Sequence, residues 1–366
     1  MAPAHHPPPF DAGADPRLAG ILARHELIAE TLVDRGADFL VLACRTRAGE
    51  PRMLKYCWRR TADALRRLRN EAVLTRDLPA RPPLRLLRHC GHGDGYLITV
   101  REPGAALGPA DLGDPALMPM IADALVVFQS LGDRARATGT TSRESTPRFL
   151  LKVMARNLLH LWPEHLHTRE AVRALAALCG ALPAIAAIGV PCHADLLPTN
   201  MLRDASGEAV VFVDLEGFIV ANHPLYDVLS LLTVEETPLP QWHWQPGFLQ
   251  RWWTGAAALR LVDPGAPQFQ RAYRGLLAFL LVYRYNEARL NEAGSTYFDG
   301  GSRLRFAARR LLLALSGVGF MRRGAGRSPA LATRHANLRH ALDGSAFALH
   351  YARMTGDAPA LPALPA

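Results

Sequence analysis

One block of the chain, residues 193–220, constrains the fold most, because it places a short apolar strand inside a region of helical periodicity. The block begins with His193-Ala194-Asp195-Leu196-Leu197-Pro198-Thr199-Asn200, continues to Val210-Val211-Phe212-Val213, and then reads Asp214-Leu215-Glu216-Gly217. A run of β-branched and aromatic residues bounded by polar residues and glycine predicts a buried strand. An acid and an amide five residues apart therefore precede this strand, and two further acids follow it.

Residues of these types in this order are typical of phosphoryl transfer. In such chemistry one carboxylate orients the acceptor hydroxyl, while an amide and a second carboxylate hold Mg²⁺ beside the phosphates. Chance agreement at the His, Asp, Pro and Asn positions somewhere in a chain of 366 residues is rare, roughly one in several hundred. The block therefore predicts a magnesium-dependent phosphotransferase site.

On this motif, the sequence resembles the aminoglycoside phosphotransferase and choline kinase superfamily, small-molecule kinases that share the protein-kinase-like fold. The resemblance implies that Asp195 is the catalytic base and that Asn200 and Asp214 bind Mg²⁺. It also implies that His193 braces the loop. Glu216 lies where related enzymes carry a second acid, and it is either another metal ligand or a partner of the backbone.

Residues from about 35 to 100 are predicted to form a small antiparallel sheet with one inserted helix. The strand-like runs are 39–45, 52–58, 85–89 and 96–100, and helical patterns cover 24–34 and 61–78. Lys55 lies on the second of these strands, and Glu71 lies in the helix that follows it. The resemblance implies that Lys55, held by Glu71, contacts the α- and β-phosphates of ATP.

Three further positions beside the nucleotide, and one supporting residue, follow from the resemblance. It places the hinge between two lobes at residues 99–103, so Thr99, Arg101 and Glu102 are expected near the adenine edge. Asp227 is expected to cap a helix and to support the site.

The sequence departs from the family pattern where a glycine-rich loop is expected. Residues 35–38 read Arg-Gly-Ala-Asp, with a single glycine where close approach to phosphate usually calls for more. This departure keeps open an alternative, a non-catalytic nucleotide-binding pseudokinase.

Beyond residue 103 the periodicity is helical. The helical segments are 115–131, 149–161, 168–178, 246–261 and 268–292. The predicted fold class is thus α+β: a bilobal protein-kinase-like fold, with a small antiparallel-sheet N-lobe over 21–103 and a larger, mostly helical C-lobe over 104–350. Residues 1–20 and 351–366 are predicted to be flexible tails.

Two features narrow the class of acceptor: the short sequence separation between Asp214 and Asp227, and the charge of the C-lobe. Only about a dozen residues separate Asp214 from Asp227, too few for the phosphorylatable activation loop of a protein kinase, so a small-molecule acceptor with a hydroxyl group is favoured. Residues 217–327 hold 13 Arg and no Lys against 7 Asp and Glu, which disfavours a polycationic aminoglycoside and suits a sugar or glycolipid precursor.

Two side-chain sets on the later helices keep alternative acceptors open. Trp242, Trp244, Trp252 and Trp253 suit a choline- or ethanolamine-type acceptor if they form an aromatic cage, although core packing is the simpler interpretation. The arginines of this region, which bind an anionic acceptor or form a solvated face, are Arg271, Arg274, Arg284 and Arg289.

Composition limits the remaining possibilities. The net charge of +9 permits peripheral contact with an anionic membrane, but no specific nucleic-acid motif accompanies it. Five scattered cysteines without metal-binding spacing predict a reducing, cytoplasmic location. The uncharged stretch 174–192 is interrupted by glycine and proline, and it is predicted to be a buried helix and loop rather than a membrane span.

Overall fold

A five-stranded antiparallel sheet organises the N-terminal part of the protein. The computed structural model describes residues 15–79, 81–140, 146–162, 165–217, 219–234, 245–262, 267–292 and 328–355. The N-lobe elements are α1 (Pro16–Arg24), β1 (Leu27–Arg35), β2 (Phe39–Thr46), β3 (Pro51–Cys57), α2 (Ala62–Asp77), β5 (His89–Gly93) and β6 (Tyr96–Val100). The strand order is β1-β2-β3-β6-β5.

Strand alternation decides which way Lys55 points. Leu54 and Tyr56 are buried on the face that α1 covers, in one core cluster with Leu18. Because successive side chains of a strand point to opposite faces, Lys55 points to the other face, where α2 packs. The alternation of side chains along β3 thus directs the Lys55 ammonium group toward α2 and the cleft.

Helical spacing brings Glu71 to the same place. Thr61 caps α2, its hydroxyl accepting a hydrogen bond from the N–H of Ala64 at 3.1 Å. Ala64, Leu68 and Ala72 form the buried stripe that packs on the sheet. Glu71 lies three residues after Leu68, on this same stripe, and is only 2% exposed.

The C-lobe combines helices with two small sheets. Its strands are β4 (Leu84–Leu86), β7 (Val190–Cys192), β8 (Met201–Arg203), β9 (Val210–Phe212) and β10 (Ile219–Asn222). The strand order of the larger sheet is β4-β9-β8, with β4 parallel to β9, while β7 pairs with β10. The three strands β7, β8 and β9 carry the loops on which the predicted catalytic and metal residues lie.

The helices of the C-lobe enclose the main hydrophobic core. They are α3 (Leu117–Ser130), α4 (Gly132–Ala137), α5 (Thr146–Leu161), α6 (Thr168–Ala187), α7 (Leu225–Leu232), α8 (Gln245–Ala258), α9 (Pro267–Glu292), α10 (Pro329–Asp343) and α11 (Ser345–Thr355). Helices α6 and α9 approach so closely that a Cβ on Gly275 would lie 2.3 Å from the Cβ of Ala181. Residues of α3, α8 and α9 complete this core.

The predicted fold class, a bilobal α+β fold of the protein-kinase-like type, is confirmed by this arrangement together with the comparisons below. Several local predictions were wrong. The segment 24–34 is mostly strand β1 rather than helix, because it pairs with β2 along its length. The predicted strand 85–89 spans two elements, since β4 pairs with β9 of the C-lobe and only β5 joins the N-lobe sheet.

The predicted tails were too long. Helix α1 begins at Pro16, where the Asp15 carboxylate accepts a hydrogen bond from the N–H of Arg17 at 2.9 Å. At the other end, α11 continues to Thr355. Residues 1–14 and 356–366 lie outside the described residues.

Helix α6 is the one described helix that is long and apolar enough to cross a membrane by length and composition. This is weak evidence for a span, because core helices pass the same test, and α6 buries Ala174, Leu178, Ala181 and Ile185 at helical spacing. The opposite side exposes Val172 and Leu175. All five cysteines lie in described parts of the chain, and none is paired.

Candidate active site

A cleft of about 760 Å³ lies between the two lobes. The turn between β1 and β2 and the side chains of Phe39 and Lys55 line it from the N-lobe. From the C-lobe it is lined by Asp195, Asn200 and Asp214. The cleft thus brings Lys55 and Asp214 together, although 159 positions separate them in the sequence.

Lys55 lies at the centre of an acidic cluster in this cleft. Its Nζ is 2.8 Å from Oε2 of Glu71, 2.5 Å from Oδ1 of Asp214 and 3.0 Å from Oε2 of Glu216. The pair of Lys55 and Glu71 belongs to the N-lobe, whereas Asp214 and Glu216 follow β9. The ammonium group therefore joins the two lobes.

The charges of this cluster shift one another's pKa values. Burial raises the pKa of Glu71 and of Glu216, and the neighbouring carboxylates add to this effect against the attraction of Lys55. Burial also opposes ionisation of Asp214, but the charge and hydrogen bond of Lys55 outweigh it and hold the pKa of Asp214 below its usual value. Although burial disfavours the ammonium form, the three carboxylates raise the pKa of Lys55 well above its ordinary value.

The same acids have the chemistry of a magnesium site. One oxygen from each of Glu71, Asp214 and Glu216 lies within 4.8 Å of the others. Carboxylate oxygens are the hard ligands that Mg²⁺ prefers, and an excess of negative charge around one lysine suits a divalent cation. The residues present therefore fit a magnesium ion. Glu71 joins this cluster although the sequence predicted it only as the partner of Lys55.

Asp195 and Asn200 lie together on the loop after β7. The side-chain amide of Asn200 donates to the backbone oxygen of Asp195 at 2.8 Å and to its Oδ2 at 3.4 Å. The backbone oxygen of Asn200 accepts a hydrogen bond from Val213, one residue before Asp214. Burial raises the pKa of Asp195, against the opposing charge of Arg284. A carboxylate with a raised pKa accepts a proton more readily.

Asp227 holds this loop in place through two hydrogen bonds. Its carboxylate, fully buried, accepts hydrogen bonds from the backbone N–H groups of His193 at 2.8 Å and Ala194 at 3.0 Å. Ala194 has φ of +69° and Asp214 has φ of +61°, left-handed conformations that cost free energy for residues with a side chain. His193 Nε2 donates to the Val213 carbonyl at 2.8 Å and ties the two strained positions together.

The predicted hinge residues are part of the cleft lining. Thr99 is buried at the end of β6. The side chains of Arg101 and Glu102 are directed to ion pairs, with Glu30 at 3.7 Å and Arg85 at 3.9 Å respectively. What this segment can offer a nucleotide base is therefore mainly its backbone.

The sequence itself decides the family. Residues 30–274 match the model of the phosphotransferase enzyme family, APH, over more than half of the chain. The chain belongs to this family. The predicted enzyme class, a small-molecule phosphotransferase with an alcohol group as acceptor, is confirmed by this membership. A comparison with curated proteins gives no match.

Solved structures of phosphotransferases share the fold. The GDP complex of aminoglycoside 2'-phosphotransferase-IIIa superimposes with a TM-score of 0.54 at 12% identity, covering 82% of this chain and 96% of that one. Macrolide 2'-phosphotransferase type I gives 0.52 at 18% identity, with coverage of 81% and 95%. A mutant of aminoglycoside phosphotransferase APH(4)-Ia, in complex with ADP and hygromycin B, gives 0.51 at 14% identity, with coverage of 84% and 99%.

Sequence reasoning missed several residues that line the cleft of this phosphotransferase. Apolar side chains from both lobes, suited to hold a flat base, are Val41, Met53, Leu87, Leu97, Leu202 and Val213. Val41 could have been found from its register, since it lies two residues after Phe39 on the same face of β2. Asp38 lines the cleft as part of the turn where a glycine-rich loop was expected. Arg67 and Tyr283 also line it, and no local sequence pattern marks them.

The tryptophans of the C-lobe do not form a cage in the described part of the phosphotransferase. Trp252 is fully buried and donates to Oε1 of Gln129 at 3.1 Å, while Trp253 packs edge-on against Phe269. Core packing, the simpler interpretation, is therefore what the structure has for these two. Trp242 and Trp244 lie outside the described residues.

The arginines of α9 do not form one surface. Arg271 is exposed, and Arg274 donates to the Leu342 carbonyl at 3.4 Å. Arg289 donates to Asn286 at 3.3 Å. Arg284 is buried, donates to Glu287 at 2.9 Å, and is the one of these four whose charge acts on Asp195.

Proposed function

We propose that this phosphotransferase moves the γ-phosphoryl group of ATP, with Mg²⁺, to a hydroxyl group of a small molecule. The observation that carries the proposal is the cluster that Lys55, Glu71, Asp214 and Glu216 form across the cleft. Asp195 lines the same cleft. Phosphoryl transfer depends mainly on such positioned charges.

Each side chain has a distinct task in this proposal. Lys55, oriented by Glu71, binds the α- and β-phosphates as a fixed charge. Asn200, Asp214 and Glu216 hold Mg²⁺, which when bound neutralises charge on the phosphates. Asp195 accepts the proton of the acceptor hydroxyl. Asn200 orients Asp195 by donating hydrogen bonds to its backbone oxygen and to its Oδ2.

The acceptor class that we propose is a sugar or glycolipid precursor. It is supported by the arginine excess of residues 217–327 and by the position of Arg284 near Asp195. A choline-type acceptor has less support, because Trp252 and Trp253 are taken up by the core. The solved structures that share the fold include complexes with hygromycin B and kanamycin, so aminoglycosides belong in the comparison set.

ADP release measured over an acceptor panel tests the function. The panel contains sugars, sugar phosphates, glycolipid precursors, amino alcohols and aminoglycosides, each with Mg·ATP. Asp195→Asn should lower kcat for any true acceptor by about 10²- to 10⁴-fold, because a general base is lost, while Mg·ADP binding persists. Binding of Mg·ATP without ADP release for any acceptor would favour the pseudokinase alternative. Undiminished turnover in the variant would refute the role of Asp195.

A further inference from the structure

The turn between β1 and β2 lines the cleft and is held by hydrogen bonds to its backbone. The N–H of Gly36 donates to the Phe39 carbonyl at 2.9 Å. From outside, the indole N–H of Trp58 donates to the Gly36 carbonyl at 3.2 Å, and the backbone N–H of Trp58 donates to the Asp38 carbonyl at 3.1 Å. The N–H of the only glycine in this turn is therefore already bonded to Phe39 and is not free to bind a phosphate.

A guanidinium lies directly beneath this turn. Nη1 of Arg67 is 2.8 Å from Oε1 of Glu216, and Nη2 pairs with the Asp38 carboxylate of the turn itself. Arg67 and Lys55 both make cation–π contacts with the ring of Phe39. The guanidinium carbon lies 5.1 Å and the ammonium nitrogen 5.0 Å from the ring centroid. Both cations line the cleft. Arg67 is therefore a second positive charge beside Lys55.

The partners of Arg67 leave it able to take an anion. Five carboxylates, those of Asp38, Asp63, Glu71, Asp214 and Glu216, surround these two cations, and that of Asp63 lies 3.4 Å from Nε of Arg67. A phosphate oxygen is an acceptor of the same sign as the Glu216 carboxylate, and the planar guanidinium matches phosphate geometry. A phosphate can therefore replace Glu216 at Nη1 while Nη2 stays paired with Asp38.

We infer that Arg67 is a phosphate-binding residue of the nucleotide site, supplying a guanidinium donor beside a turn whose single glycine has its N–H bonded to Phe39. The inference rests on the proposed function, because it requires a nucleotide in this cleft. It resolves the main departure of the sequence from the family pattern: the missing glycines are compensated by a side chain from α2.

Calorimetric titration of the full-length protein with adenosine and with Mg·ADP tests the inference without using turnover. Arg67→Gln should weaken Mg·ADP binding by roughly 10- to 100-fold, the effect of one charge-assisted hydrogen bond, and leave adenosine binding within about twofold. The matched control is Arg69→Gln, an exposed arginine on the same helix, which should change neither affinity.

Asp38→Asn separates phosphate binding from simple bracing of the turn. If Arg67 only braces the turn, loss of its Asp38 partner should weaken Mg·ADP as much as Arg67→Gln does. If Arg67 binds phosphate, Asp38→Asn removes a negative charge from the cleft and should leave Mg·ADP binding equal or tighter.

The outcomes distinguish the inference from the function on which it rests. Equal losses for adenosine and Mg·ADP in Arg67→Gln, or equal losses in the two cleft variants, would overturn the inference and leave the nucleotide site intact. A wild-type protein that binds neither adenosine nor Mg·ADP would overturn the proposed function, and the inference with it.

Discussion

The smallest unit of this site is a single buried carboxylate, Asp227. Its two oxygens accept the backbone N–H groups of His193 and Ala194, at 2.8 and 3.0 Å, and so stabilise the left-handed conformation of Ala194 next to Asp195. Burial raises the pKa of Asp227, yet two N–H donors match a carboxylate better than any neutral side chain. The position of the proposed catalytic base therefore depends on Asp227.

Replacement of Asp227 tests this dependence. In Asp227→Asn the side-chain amide nitrogen faces a backbone N–H group and cannot accept a hydrogen bond from it. We therefore expect a loss of about 1–3 kcal/mol in the free energy of unfolding and a fall in kcat. Denaturant unfolding and ADP release measure the two effects. Asp204→Asn is the control, because Oδ1 of Asp204 also accepts two backbone N–H groups, from Glu208 and Ala209 in the β8–β9 turn, while its Oδ2 accepts from Ser206 and Arg85, which an amide nitrogen cannot do. It should lose stability and keep kcat, and a parallel fall of kcat in both variants would contradict a positioning role.

At the scale of helices, the contact of α6 with α9 depends on one glycine. A Cβ on Gly275 would lie 2.3 Å from the Cβ of Ala181 and 2.8 Å from the carbonyl oxygen of Ala177. Gly180, on the exposed side of α6, has no atom within 4 Å of such a Cβ. The two glycines lie in neighbouring helices and differ in what surrounds them.

The same substitution should therefore have opposite effects at these two positions. Gly180→Ala should stabilise the protein by up to about 1 kcal/mol, since alanine favours the helix. Gly275→Ala should destabilise it by about 1–3 kcal/mol, because the backbones of α6 and α9 must separate. Urea unfolding measures both, and stabilisation by both variants would show that the helices are not in close contact.

Helix α6 is also joined to α10 by an ion-pair cluster. Oε1 of Glu170 accepts from Nε of Arg339 at 2.9 Å, and Oε2 lies 3.1 Å from Nε2 of His335. Burial opposes ionisation of Glu170, but these partners and the N–H of His167 outweigh it and lower its pKa to about 2. Glu170 therefore stabilises the fold above its unfolded pKa, and this contribution is lost as the pH falls from about 4.5 toward 2.

Glu170→Gln should lower the free energy of unfolding at pH 7 by about 1–2 kcal/mol, after allowance for solvent screening. The gap between variant and wild type should narrow as the pH falls below about 4.5, because the wild-type carboxylate then takes up a proton. Denaturant unfolding at a series of pH values measures this gap. Glu208→Gln, at an exposed turn residue, is the control and should show no such gap. A gap for Glu170→Gln that is constant with pH would contradict the assignment.

For the molecule as a whole, the cleft is where ion pairs connect the two lobes. Lys55 of the N-lobe contacts Asp214 and Glu216 of the C-lobe, while the segment predicted to be the hinge continues into the C-lobe beside β8. There a Cβ on Gly104 would lie 2.1 Å from the Arg203 carbonyl oxygen. A ligand that binds both lobes should therefore stabilise the entire protein.

Mg·ATP should raise the melting temperature of the wild-type protein by several degrees. A ligand at a hundred times its Kd adds about 2.7 kcal/mol to the free energy of unfolding. The ligand-induced shift should shrink in Asp214→Asn and on chelation of Mg²⁺ in the wild type, because a carboxylate or the ion is then missing. Differential scanning calorimetry measures it, and an equal shift in all three samples would place the nucleotide elsewhere.

Most of the fold class was predictable, because the signals that define it are local. The alternation that buries Leu54 and Tyr56 and the turn residues around β2 and β3 act between near neighbours in the chain. The error at residues 24–34 has the opposite origin: the apolar spacing suits a helix, but pairing with β2 converts it to a strand. The mistaken strand 85–89 likewise reflects the pairing of Leu84–Leu86 with a strand more than a hundred residues away.

By itself, the sequence determined the proposed chemistry of the loop, since Asp195, Asn200 and Asp214 lie within twenty residues and their types and spacing are properties of the chain. Only the tertiary structure decided that Glu71 joins Asp214 and Glu216 around Lys55, and that Arg67 lies beneath the β1–β2 turn. Those arrangements depend on side chains that meet across two lobes. Their distances are set by the packing of α2 on the sheet and by the strained backbone at Asp214, which no periodicity records.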